Sequence, residues 1–308
     1  MTTPFADRLA AAVESKQSAL VVGLDPQIEK FPAELRGAPD PAGDARQQAA
    51  QAIRRFDAAI IELVAPFAVA VKPQIAFYEQ WGPEGLAAYE HAIGAAHAAG
   101  LLVIGDVKRG DIGSTASAYA RAHLGWPRGG APRAATTADA ITVNPLLGKD
   151  SLAPFLDAAA QDGAGLFVLV RTSNPSARDV QDLAVDARPL HERLAALVVE
   201  WGSAARGRSG YSSVGAVAGA TAPKELQRLR DLMPNTWLLV PGVGAQGATA
   251  RDAAPAFDRK GLGALVNSSR GILYAYGEPA APNWKSAVRD AARQLRDELH
   301  DAAHQTAR

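Results

Sequence analysis

Eight short apolar runs punctuate the chain, and nearly all of them end on polar, charged or glycine positions. They are ALVVGLD (19–25), AVAVKP (68–73), LLVIGDVK (101–108), DAITVN (139–144), GLFVLVRT (165–172), VGAVAGAT (214–221), WLLVPG (237–242) and GALVNSS (263–269). Within each run the apolar residues are continuous rather than alternating, which predicts strands covered on both faces, as in a parallel sheet. Between most of them the period lengthens to that of a helix. RQQAAQAIRRFDAAIIELV places Ile53, Phe56, Ile60 and Val64 on one stripe. GPEGLAAYEHAIGAAHAAG opens with Pro83 and closes with Gly100, a helix start and stop. Near the end, Trp284, Val288, Ala291, Leu295 and Leu299 share one face behind Asn283 as N-cap. Strand and helix therefore alternate throughout. The pattern predicts an α/β chain folded as a (β/α)8 barrel in a single domain, 1–308, with a doubly wound open sheet as the alternative. Pro/Gly-rich stretches at 31–45, 126–137 and 203–213 read as loop insertions.

Composition adds mainly exclusions. The 308 residues are 48% hydrophobic and 21% charged, ample for a large core. Thirty-two basic residues balance thirty-two acidic ones with no basic stripe, so neither nucleic acid nor an anionic membrane is an expected partner. The absence of cysteine rules out disulfides, thiolate nucleophiles and cysteine metal sites, and suits a reducing cytoplasm. The opening MTTPFADRLAAAVESK has no signal-peptide character. The most apolar stretch, AAIIELVAPFAVAV, is too short to span a bilayer and is broken by Glu62 and Pro66. A soluble cytoplasmic protein is the expectation.

In a barrel the chemistry sits where strands end, and five of the eight ends carry charge: Asp25, Lys72, Asp106 with Lys108, Arg171, and Arg270. The densest is GDVKRGDIGST (105–115). Asp106 and Lys108 are two apart in extended chain and share a face. Gly110 and Gly113 allow a tight turn that projects Asp111 away from its own strand. An ammonium between carboxylates keeps its proton, so Lys108 suits a proton donor or carbanion stabiliser rather than a Schiff-base nucleophile. PGVGAQG satisfies G-x-G-x-x-G through Gly242, Gly244 and Gly247, but only one strand follows it and no dinucleotide-binding half remains. A loop closing over a phosphate is the better reading, with Gln246 as amide donor and Arg270 supplied by the next strand. None of the six histidines falls at a strand end, and no metal-ligand spacing or GxSxG elbow occurs. The histidines read as surface residues, and no metal is expected.

Asp106-Val-Lys108-Arg-Gly-Asp111 is a D-x-K-x-x-D motif. Together with GLDP, VKPQIAFYEQWG, TVNPLLG, VRTSNP, VPGVGAQG and NSSRGI, spread over residues 22–272, it resembles the orotidine 5'-phosphate decarboxylase family, in its longer bacterial (type 2) branch. The resemblance implies decarboxylation of orotidine 5'-phosphate to UMP, the last step of pyrimidine synthesis, without metal or organic cofactor. It implies that Lys108 protonates C6 as CO2 leaves, that Asp106 lies beside the substrate carboxylate, and that Lys72 holds the network. Asp111 and Ile112 would reach the neighbouring subunit's site in a homodimer. Asp25 and Lys72 would bind ribose hydroxyls, and Thr172 or Ser173 the pyrimidine. Pro241 would line the substrate site, and Gln246 and Arg270 would hold the phosphate. Two positions depart from the commoner branch: Ser269 replaces a glycine before Arg270, and RTS replaces an apolar residue before the pyrimidine-binding hydroxyl, which leaves Thr172 and Ser173 both open. No role attaches to the insertions at 126–137 and 174–213. Two rival readings are a Mg2+-dependent sister enzyme acting on a sugar phosphate and a non-catalytic nucleotide-sensing barrel. Against the first, Lys72 stands where a metal enzyme would want a carboxylate.

Overall fold

The computed structural model describes residues 2–38, 43–125, 136–244 and 247–305. Gln246 and most of the 126–137 insertion therefore lie outside the described residues. All eight apolar runs form strands: β1 (Leu20–Leu24), β2 (Ala70–Pro73), β3 (Leu102–Arg109), β4 (Ala140–Val143) and β5 (Gly165–Arg171), then β8 (Ser212–Ala218), β9 (Thr236–Val240) and β10 (Ala264–Ser268). A two-residue antiparallel ribbon, β6 (Ala184–Val185) with β7 (Arg188–Pro189), interrupts the series inside the 174–213 insertion.

Every pairing around the ring is parallel, and β1 bonds to both β2 and β10, with Val21 opposite Ala70 on one side and Asn267 on the other. The sheet is thus closed into a (β/α)8, or TIM, barrel, which excludes the open doubly wound alternative.

Helices cover the outside as the periodicity predicts. Ile53, Phe56, Ile60 and Val64 of the helix Ala45–Val64 are all buried. Its N-cap, Asp44, accepts from the amides of Arg46 (2.7 Å) and Gln47 (3.3 Å), satisfying donors that a helix start leaves open. The helix Gly82–Ala98 ends before Gly100. In the last helix, Trp284–Gln305, Trp284, Val288 and Leu299 are buried and Ala291 and Leu295 half-buried.

The bottom of the barrel is sealed by a helix before the first strand, Phe5–Lys16. Its Phe5, Leu9 and Val13 join Val21, Ile104, Phe167, Trp237 and Leu265 in one apolar cluster. Asp139, just before β4, ties this plug in place, meeting Arg8 Nη1 at 2.5 Å and His97 Nε2 at 2.9 Å and accepting from the Val103 amide at 2.8 Å. Burial alone would raise the Asp139 pKa, but these partners outweigh it and hold the carboxyl down to about 2. With the floor filled, only the strands' C-terminal ends are left to form a cavity. Among the described residues no helix is long and apolar enough to cross a membrane.

Candidate active site

A cavity of ≈ 440 Å³ opens at that end. Lining it are Asp25, Lys72, Asp106 and Lys108 from the first three strands, Thr172 and Ser173 after β5, and Pro241 and Arg270 after β9 and β10. The side chains named at the strand ends therefore converge, with instructive exceptions.

Asp106 is the centre. Its Oδ2 is 2.6 Å from Lys72 Nζ and accepts from Gln74 Nε2 at 3.1 Å. Its Oδ1 is 2.5 Å from Lys108 Nζ and accepts from the Thr142 hydroxyl at 2.9 Å. Burial would raise the pKa of this carboxyl, but the Lys72 and Lys108 ammoniums hold it far below the ordinary value. Burial likewise opposes the charge on Lys72, and Asp106 and then Asp25 reverse that, so the Lys72 pKa is raised. The two lysines differ in access: the Lys72 side chain is 8% exposed and that of Lys108 is 45% exposed. Both line the cavity, but Lys108 is the more open to it.

Lys108 does reach the same side as Asp106, but not through extended chain. Its φ is +46°, left-handed and rare for a residue other than glycine, and the β3–β4 register shifts between Gly105 and Arg109. Thr142 explains the kink. Its Oγ1 accepts from the amides of both Val107 (3.0 Å) and Lys108 (2.9 Å) while donating to Asp106, so one hydroxyl replaces part of the strand ladder.

Asp25 lines the cavity, and its buried Oδ1 has no hydrogen-bond partner among the described residues. Its backbone is held by Tyr274, whose hydroxyl donates to the Asp25 carbonyl (2.8 Å) and accepts from the Gln27 amide (2.9 Å). On β10, Asn267 also lines the cavity, and its buried Oδ1 likewise has no hydrogen-bond partner among the described residues.

Arg270 stands exposed at the rim beside the glycine loop, where Gly244 and Gly247 both take left-handed φ (+85° and +89°). Ser269, the departure before it, is tolerated because Gly23 faces it: a Cβ on Gly23 would lie 1.9 Å from the Ser269 hydroxyl.

Arg171, by contrast, is a strand-end charge with a structural job, pairing with Glu225 (2.7 Å) and Asp182 (3.0 Å). Asp111 and Ile112 do not line this chain's cavity; Asp111 accepts from the Ile112 amide (2.7 Å), and Ile112 is 56% exposed. The histidines are not all on the surface: His191 is buried, bonded to the Gln181 carbonyl, and His123 is half-buried, its pKa lowered to about 4 by burial and then by Arg109. None of the described histidines lines the cavity.

Gln74, Thr142 and Asn267 escaped the reading of the sequence. Gln74 follows Lys72 by two residues and so shares its face, a signal that was present. Thr142 and Asn267 sit within strands, where nothing distinguishes them from ordinary β residues.

Fold and site together define the class: a barrel enzyme whose acid–base cluster sits at the C-terminal ends of the strands, opposite an arginine beside a glycine loop. The model of the orotidine 5'-phosphate decarboxylase / HUMPS family matches residues 18–282. An orotidine 5'-phosphate decarboxylase from Rhodopirellula baltica is 45% identical over 302 residues, covering 96% of this chain and 98% of the relative. The solved OMP decarboxylase of Leishmania donovani superposes with a TM-score of 0.75 at 33% identity, over 98% of this chain and 99% of that one. Leishmania donovani UMP synthase matches with a TM-score of 0.78 at 34% identity, and the chain spans 57% of its length. The chain belongs to the orotidine 5'-phosphate decarboxylase / HUMPS family.

Proposed function

We propose that the cavity decarboxylates orotidine 5'-phosphate to UMP and CO2, with Lys108 as the proton donor. The reaction breaks the bond from ring carbon C6 to the carboxylate, leaves the electron pair on C6, and places a proton there. That carbon has little resonance relief, so stabilisation has to come from fixed charge. Lys108 Nζ supplies both the charge and the proton, and solvent at the open mouth reprotonates it. Asp106 keeps Lys108 aimed, and Lys72 holds Asp106 from the other side. The unpartnered Asp25 carboxylate accepts from the ribose hydroxyls, with Lys72 close by. Arg270, Pro241 and Gln246 form the phosphate end, whose binding energy is applied at the reacting carbon.

The carrying observation is Asp106 held between two ammoniums, with each of its oxygens engaged twice. A Mg2+-dependent sugar-phosphate enzyme would need such a carboxylate for its ion, and the decarboxylase relatives point the same way. At the pyrimidine end Ser173 is the better-placed hydroxyl, because that of Thr172 is committed to Asn174 and Gln181.

In this reading the whole chain, 1–308, works as one barrel domain in the cytoplasm, as the lack of cysteine suits. It pairs as a homodimer in which Asp111 and Ile112 complete the neighbour's site. Ile112 and, on the adjoining β4 loop, Leu146 (78% exposed) and Leu147 offer the apolar surface for that pairing. The test is direct: protein treated with EDTA is mixed with orotidine 5'-phosphate, and the ultraviolet absorbance of the substrate should fall. No fall, or a fall only after Mg2+ is restored, would reject the proposal.

A further inference from the structure

We infer that Asn174 reads the carbonyl at ring position 4 of the bound pyrimidine, and that its orientation is set by Thr172 beside it and by Gln181 behind the cavity lining. The inference rests on the nucleotide reading above and concerns how the base is chosen.

The argument follows the direction of each hydrogen bond. The Thr172 backbone amide can only donate, and it meets Gln181 Oε1 at 2.9 Å. That fixes which end of the Gln181 carboxamide is which, and its Nε2 donates to Thr172 Oγ1, also at 2.9 Å. A hydroxyl that accepts there sends its own proton onward, and the neighbour is Asn174 Oδ1 at 2.7 Å. The Asn174 oxygen is thereby consumed. What Asn174 has left to offer the cavity it lines is an amide NH2, which only donates.

With C6 at Lys108 on β3, the opposite ring edge turns toward the residues after β5. In a uracil-type base that edge carries N3–H and a carbonyl at C4; in a cytosine-type base it carries bare N3 and an amino group. A fixed NH2 donates to the C4 carbonyl of the first and repels the amino group of the second, and the Ser173 hydroxyl beside it can accept from N3–H. Discrimination of this kind is strong because the wrong base leaves a donor facing a donor.

The relay is anchored by the 174–213 insertion. His191 donates to the Gln181 carbonyl (2.9 Å), and the next residue, Asp182, pairs with Arg171 (3.0 Å), itself held by Glu225 (2.7 Å). Arg171 and its carboxylates thus keep a specificity device in register.

Competitive inhibition by UMP and CMP, measured on the intact enzyme, tests it. Asn174→Ala should weaken UMP by about threefold to tenfold and leave CMP unchanged or bound slightly more tightly. Gln181→Glu, which can only accept from Thr172, should turn the threonine proton away from Asn174 and narrow the UMP-to-CMP ratio without touching ligand. Thr172→Ser keeps the hydroxyl and should keep the ratio, whereas Thr172→Val should lose it. An unchanged ratio in Asn174→Ala or Gln181→Glu, or an equal loss for both nucleotides, would overturn the inference. Turnover of orotidine 5'-phosphate by the unmodified enzyme is recorded in parallel. Its absence would sink the nucleotide reading, while intact turnover with an unchanged ratio would sink only the relay.

Discussion

Lys72 and Lys108 grip the same carboxylate from two strands and both line the cavity, with Lys108 the more exposed of the two. Burial opposes the charge on Lys72, and Asp106 and then Asp25 outweigh it. Removing Lys108 therefore deletes a charge from the cavity while Lys72 still pairs with Asp106. Lys108→Ala should lower kcat and kcat/KM together by at least about a thousandfold, since a positioned acid alone is worth 10²–10⁴ and its fixed charge adds to that. UMP affinity should change only a few-fold. Steady-state kinetics with an inhibitor titration checks both, and a variant keeping a tenth of its turnover would strip Lys108 of its role. The motif holding Asp106 and Lys108 was legible because it is local. The left-handed turn at Lys108 was not, since it depends on a hydroxyl from Thr142 on another strand.

At the scale of elements, continuous apolar runs announced every barrel strand, because a parallel sheet sheathed in helices buries both faces. The β6–β7 ribbon was invisible, being two residues per strand and mostly exposed. The helix Ala45–Val64 shows the other limit: Asp57 looks like a surface residue among charges, yet it is fully buried, accepting from the Tyr78 hydroxyl at 2.8 Å. Burial raises its pKa to about 7, Tyr78 partly opposes this, and Asp25 adds to it. The folded chain thus keeps a proton that the unfolded chain has released above the ordinary value of 3.8, and stability falls as pH rises from there to about 7. Asp57→Asn keeps the tyrosine bond and removes that decline. The variant should gain on the parent between pH 5 and pH 8 by at most about 3 kcal/mol. Urea melts at the two pH values read it directly; an equal difference at both would refute it.

The whole molecule enters through Asp111, which the fold leaves outside its own cavity. If it serves a partner's site, Lys108→Ala and Asp111→Ala subunits are each inactive for different reasons. Mixing and reassociating equal amounts makes half the dimers mixed. In each, one site receives both lesions and the other receives neither. Activity should return to roughly a quarter of that of the unmodified enzyme, a consequence of two-fold symmetry. No recovery after demonstrated subunit exchange would confine Asp111 to its own chain or to no site.

The helix Phe5–Lys16 that fills the barrel floor has a consequence for traffic. A well stoppered at one end has a single doorway, so nucleotide, water and carbon dioxide all pass through the ring of loops that holds the substrate. The gas, being the smaller product, is free to leave first, and UMP follows when those loops let go. Arg270, Asn174 and Gly242 of the glycine loop line that one passage.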